Sequence, residues 1–431
     1  MRFLSLAVLL SIALPLPVRG DDDPELTALV AEALEHSPDV LAAREAAGAA
    51  AQRARPASTL PDPMFTVSYD NDGAAISLGT EPMTQLQFMV QQSIPFPGKQ
   101  KLSGRIAEGQ AAESATKVAR ARLEVEGAVR RGWAALLAAR ESLVLTDEQI
   151  ATWKEIAEIT RTRYAAGMGS QQDLLRAQSE RTRLEQQRVR DEAAEETARV
   201  ELSRILLRPV DAAIASRAAA LRTSAALTEP EGKAMLEEAE AKSPELQEAR
   251  LARERAAMEV ALAKKAFSPD FVVQVGYGNR GQLPMTWSAG VGVTLPVWTG
   301  SKQKPLQLDA EGRERAAKAA EEALKVRLTG KTRERLVRLK QLAREARIDM
   351  EGILVQDRLA VDAALASYTT GSVPFISVLE ALGTLFADRR AAVSRVADYL
   401  KTDADLHELS LDSASPSMAA TAAPSPSSSK M

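Results

Sequence analysis

The chain is written twice, and that repetition limits its folds more than any other feature. His36-Ser37-Pro38-Asp39-Val40 matches Lys242-Ser243-Pro244-Glu245-Leu246, Pro63-Met64-Phe65 matches Pro269-Asp270-Phe271, and Ile94-Pro95 matches Leu295-Pro296. Tyr164-x-x-Gly167 matches Tyr368-x-x-Gly371, followed by Leu175-x-Ala177 and Leu379-x-Ala381. The offsets all lie within a few residues of about 204, so order and spacing recur along the chain. Two copies are too few for a solenoid. The repeats are placed at 21–232 and 233–410, after a leader at 1–20 and before a tail at 411–431.

Each copy reads helix, strand, loop, strand, long helix, break, long helix. A Ser cap, a Pro at the first helical position and an acid in the first turn start the opening helix. In the first copy it spans 38–55, and Pro56, Pro61 and Pro63 stop it. Residues 64–70 then alternate, with Phe65, Val67 and Tyr69 opposite Thr66, Ser68 and Asp70. Residues 84–95 alternate again, with Leu86, Phe88 and Val90 opposite Gln85, Gln87 and Gln91. The second copy repeats the pattern at 270–278 and 285–296. These segments approach the length of membrane-spanning strands, about 9–11 residues with one apolar and one polar face. Two hairpins cannot close a barrel alone, and strand edges open to lipid are not tolerated. A membrane role therefore requires several copies, and a trimer gives twelve strands. The plainer possibility is two surface hairpins on a soluble core.

Long helices follow each strand pair. Residues 98–163 contain no proline, and a helix of about 60 residues is on the order of 90 Å long. Ala-rich stretches such as residues 134–139 suit close coiled-coil packing. Breaks at Gly167 and Gly371 make two helical hairpins, because a tight reversal needs φ > 0 and Gly supplies it without steric cost. The return helices start near Gln171 and Val373. The fold class is mainly α with a small β part: helical hairpins forming an α-barrel, with β-hairpins contributing to a trimeric twelve-stranded barrel. Residues 208–231 form an Ala-rich connector, read as a small side domain. The Ser-, Pro- and Ala-rich tail cannot bury a core and is expected to be disordered.

Composition narrows the function. Net charge is −3 with both signs interspersed, so there is no basic face for nucleic acid. The absence of cysteine excludes disulfides, thiol catalysis, Cys metal sites and a lipid anchor on an N-terminal Cys. His36 and His407 are read as surface or cap residues. No phosphate loop, nucleophile elbow, HExxH or His cluster is present, so no enzyme, cofactor or resident metal is expected. Arg2, an apolar run and Val18-Arg19-Gly20 make an export signal cleaved after Gly20.

Taken together, the features over 24–410 resemble the outer-membrane efflux factor family that includes TolC. Two motifs carry the resemblance: Tyr-x-x-Gly-x(7)-Leu-x-Ala, present twice, and Gln92-Ser93-Ile94-Pro95-Phe96-Pro97-Gly98-Lys99 at the exit from the strands. The second is similar to the heavy-metal efflux branch. The resemblance implies a homotrimeric passive duct in outer-membrane lipid, docked to a periplasmic adaptor and an inner-membrane pump, with metal cations as candidate cargo. It also implies a gate near the hairpin tips, at Ser377, Glu380, Asp173 and Tyr368, with Ser377 standing where the family has an acid. Three copies of Glu380 would ring the lumen and favour cations; the alternatives are an ordinary helix-face Glu380, and Tyr164 and Tyr368 as packing residues. Gly167, Gly169, Gly371 and Tyr164, with the tips at 165–170 and 369–374, are the implied adaptor contact. The alternative function is a soluble periplasmic coiled-coil adaptor or scaffold, which leaves the four strands unexplained.

Overall fold

The computed structural model describes residues 24–409 apart from 73, 75, 77, 79–80, 212 and 215–231. The leader, most of the connector and the tail expected to be disordered lie outside the described residues. The first copy gives α1 (Pro24–His36), α2 (Pro38–Ser58), β1 (Met64–Asp70), β2 (Gln85–Ile94), α3 (Lys99–Ala165) and α4 (Gln171–Ile205). The second gives α5 (Gly232–Lys242), α6 (Pro244–Lys265), β3 (Asp270–Asn279), β4 (Thr286–Thr294), α7 (Lys304–Ile348), α8 (Leu354–Thr370) and α9 (Phe375–His407). The described residues fall into two compact units, each drawn from both copies: one from 38–121 and 242–327, the other from 24–37, 122–241 and 328–409.

The first unit contains the strands. They form one antiparallel sheet in the order β1-β2-β3-β4, so β2 and β3 join the two copies and β1 and β4 are its edges. The register puts like with like. Val67, Phe88, Tyr277 and Trp287 form one cross-sheet row, and Phe65, Val90, Val275 and Ala289 the next. Phe88 stacks on both Phe65 and Tyr277 with ring centres 6.4 Å apart. On the other face the rows are Ser68–Gln87–Gly278–Thr286 and Met64–Gln91–Gln274–Gly290. Among the described residues the apolar face is left open: Trp287 is 78% exposed and Val291 74%.

Several boundaries differ from the sequence reading, each for a local reason. Pro56 lies inside α2, which ends only at Ser58. A proline in the last turn forfeits a single backbone bond, and Thr59 then caps the Pro56 carbonyl through its amide and hydroxyl. Thr84 stays out of β2 because its buried hydroxyl donates to Asp72 at 2.8 Å, closing the loop. β4 stops at Thr294, two residues before Pro296, which has no N–H for a ladder. Two π-turns, Thr299–Gln303 and Asp349–Ile353, were not anticipated.

At the strand exit, the Asp270 carboxylate accepts from the Phe96 amide at 2.7 Å and from Lys99 Nζ at 2.8 Å. Lys265 donates to the Pro97 carbonyl at 3.1 Å and lies 5.4 Å from the Phe96 ring centre. The Phe96-Pro97-Gly98-Lys99 segment is thus fastened to the start of β3. Further along, Arg255 grips Glu113 at 2.6 Å. Gly104 lets α3 pass close to α2, since a Cβ there would sit 2.8 Å from the Ser58 Cβ.

The second unit is helical. Trp133, Leu136, Leu202 and Leu206 bury the seam between α3 and α4 with Leu29 of α1. Glu32 and Arg208 make a two-pronged ion pair at 2.7 and 2.5 Å, tying α1 to the residues after α4. Polar links join α3, α4 and α9. Thr146 donates to the buried Asp191 at 2.6 Å, and Arg390 reaches both, at 2.8 Å to Thr146 and 3.3 Å to Asp191. No described helix is long and apolar enough to cross a membrane.

Candidate functional site

Both helical hairpins reverse in the same way. After α3, Gly167 adopts φ +71° and its amide bonds the Tyr164 carbonyl at 3.0 Å, while Met168 bonds back to Arg163 at 2.9 Å. After α8, Gly371 adopts φ +82°, its amide bonds Tyr368 at 3.0 Å, and Ser372 bonds back to Ser367 at 2.8 Å. This is a left-handed helix stop that satisfies the last carbonyls. Gly169 meets a different need: a Cβ there would lie 3.1 Å from the Tyr164 amide nitrogen. Ser170 caps α4 by accepting from the Asp173 amide at 3.1 Å. α9 starts at Phe375, not Val373, with Pro374 in extended conformation at its cap.

The two tyrosines diverge. Tyr368 is 3% exposed and Tyr164 45%. The Tyr368 ring lies 5.4 Å from that of Phe375, which meets Trp153 edge-on at 6.4 Å. Ala177, Val378 and Leu382 complete this core, so α3, α4, α8 and α9 converge just behind the tips. Arg163 closes it: its guanidinium sits over the Tyr368 ring and donates to the carbonyls of Thr369 at 2.6 Å and Met168 at 3.1 Å. One side chain therefore binds both hairpin ends. Burial pushes the Tyr368 phenol up, the Asp173 carboxylate adds to the rise, and Arg163 opposes it.

The candidate residues thus fall into two groups. Tyr368, Asp173, Gly167, Gly169, Gly371 and Tyr164 come together at the tips. Ser377 and Glu380 lie on the first turns of α9, half-buried and exposed respectively, and Glu380 has no ion-pair partner among the described residues. Sequence reasoning missed Arg163, Trp153 and Phe375. One signal was available: Arg163 occupies the position that Ser367 fills in the second copy, a break in the repeat beside its strongest motif. His36 and His407 each place Nδ1 near the carbonyl four residues back, at 3.0 and 2.9 Å, on exposed helix ends. Among the described residues no group of three or more His, Cys, Asp or Glu could hold a metal ion.

The model of the outer membrane efflux protein family matches residues 29–206 and again 235–410. The outer membrane protein VceC of Vibrio cholerae has a TM-score of 0.72 at 20% identity, over 89% of this chain and 96% of that one. The CmeC outer membrane channel of Campylobacter jejuni has 0.71 at 17%, over 90% and 86%. CusC, described with the conformational changes of its folding and transmembrane channel formation, has 0.72 at 16%, over 90% and 91%. At these identities the likeness is one of fold. Among curated proteins no sequence matches the chain.

Proposed function

The chain belongs to the outer membrane efflux protein family, and from that premise we propose that three copies assemble into a continuous passive duct. Its place is the outer membrane, as an efflux channel subunit. The observation that carries the trimer is the sheet. Among the described residues it has one apolar face left uncovered and two edge strands, β1 and β4, with no further strand beside them. Lipid can cover the face, but only another strand can satisfy the edges. Three four-stranded sheets joined edge to edge give a twelve-stranded barrel, an even number as such barrels have. A soluble adaptor has no use for such a face.

The helical tips carry the rest of the reading. Exposed Tyr164 and Met168, presented by the Gly167 turn with Gly169 packed beneath, form with the Gly371 turn the surface offered to a periplasmic adaptor, itself joined to an inner-membrane pump. Asp173, Ser377 and Glu380 line the narrow end with Tyr368 packed behind them, and three Glu380 carboxylates impose a cation-favouring ring there. For cargo, the Phe96-Pro97-Gly98-Lys99 segment points by resemblance to metal cations. Growth of an exporter-deleted strain on metal salts, with and without this gene, tests that assignment.

The decisive experiment is assembly. The mature protein should require detergent for extraction and run as a trimer that heat converts to monomer. A monomer stable in aqueous buffer without surfactant overturns the proposal. For the gate, Glu380→Gln should weaken cation selectivity of trimers in planar bilayers, and unchanged selectivity removes Glu380 from it.

A further inference from the structure

The polar face of the sheet carries almost no charge. Among the strand residues only Asp70 and Asp270 are charged, at the last position of β1 and the first of β3. Asp270 is neutralised by Lys99. Between these ends the face presents amides, hydroxyls, thioethers, bare backbone and the side chain of Val272. Gln87 and Gln274 spread across it because their neighbours are glycine: a Cβ on Gly276 would come 3.3 Å from Gln87 Nε2, and one on Gly290 would come 3.0 Å from Gln274 Nε2. Amides and hydroxyls of this kind offer both donors and acceptors, so they solvate either sign of charge. Rings of like-charged side chains are what make pores select by charge, and this face has none between its ends.

We infer that, between the Asp70 end and the Asp270 junction, the polar face makes the outer-membrane passage an uncharged, hydrogen-bonding sleeve that admits solutes of either sign, leaving charge sorting to the Asp70 rim and the helical end of the duct. This rests on the barrel reading above, and the test separates the two. The chain has no cysteine, so a single introduced thiol reports alone. Gln91→Cys, six register positions from the Asp70 pair, and Val275→Cys, each in the full-length trimer in outer membranes, are reacted with cationic and anionic methanethiosulfonates. Gln91→Cys should react with both, at a rate ratio within about threefold of that for a free thiol, because no charged lining nearby adds a field of several kT. Val275→Cys, facing lipid, should react with neither. A ratio displaced by more than about tenfold in either direction overturns the uncharged sleeve. Reaction at Val275→Cys but not at Gln91→Cys overturns the barrel reading instead. Adding Gln274→Glu to Gln91→Cys should tilt the ratio toward the cationic reagent by about tenfold, the effect of a three-carboxylate ring. No tilt would mean that this face does not set the field.

Discussion

The Arg163 guanidinium lies 4.7 Å from the centre of the Tyr368 ring, so a residue of the first hairpin covers the aromatic end of the second. With its bond to the Thr369 carbonyl, this contact ties the two tips together directly. Arg163→Ala should cost the packed tip about 1–2 kcal/mol, from one cation–π contact and one charged hydrogen bond. That is roughly a 5–30-fold shift in the ratio of open to closed tips. Single-channel recording should show higher open occupancy. Arg163→Lys should fall between, since lysine keeps the charge and loses the planar fork. Unaltered recordings for both variants would remove Arg163 from the closure.

The two stop glycines should be costly to replace. Gly167→Ala and Gly371→Ala each force a side chain into the left-handed region, at about 1–2 kcal/mol per site. Gly48→Ala, mid-helix in α2 with open space around its Cβ position, should instead stabilise by about 0.5–1 kcal/mol. The temperature at which trimers dissociate on gels gives the order. Equal behaviour of all three would contradict the turn geometry.

Alkaline pH should loosen the tip through Tyr368. Burial raises its phenol above the ordinary 10.0. The packed state therefore holds the proton more firmly than the opened one. Stability from this group is whole below about pH 10 and is lost as pH climbs through the raised value. Tyr368→Phe keeps the ring and removes the hydroxyl, so it should abolish the slope. Protease sensitivity of the tip between about pH 8 and 11 reads the difference. A slope that persists in the phenylalanine variant would assign it to another group.

The junction at Asp270 should matter for assembly and not for cargo. Asp270→Asn weakens two bonds, to the Phe96 amide and to Lys99, and should cost about 1–3 kcal/mol. Trimer yield and melting temperature should fall. Efflux per assembled trimer should stay level, because Lys99 is engaged in holding the strand exit. A change in cargo preference at constant trimer number would give the segment a direct role.

Much of this architecture was legible before any coordinates. Alternation marked the strand faces because a half-exposed sheet must separate apolar from polar side chains. Gly167 and Gly371 marked the reversals because few other residues accept their φ. What could not be read was who meets whom. Arg163 and Thr369 are 206 positions apart, and nothing local to either announces the other. Tyr164 and Tyr368 share a motif and a backbone pattern, yet one is exposed and one buried, because Phe375 follows only the second. The π-turn at Asp349–Ile353 was equally silent: Arg395 on α9 pairs with buried Asp349, a tertiary fact imposed on an ordinary helical sequence. The Pro56 expectation failed because proline is a strong stop only in a helix interior.

On the proposed trimer, a sheet that ends in β1 on one side and β4 on the other cannot mature alone. Each polypeptide would then be an orphan until it met two siblings, so bilayer entry would be a collision-dependent event and not a property of the single molecule. At low expression, waiting time should dominate and periplasmic proteases should claim much of the product. At high expression, mispaired edges become the hazard. The same hydrogen-bonding rims that seal the cylinder thus put a floor and a ceiling on how much of this protein a cell can usefully make.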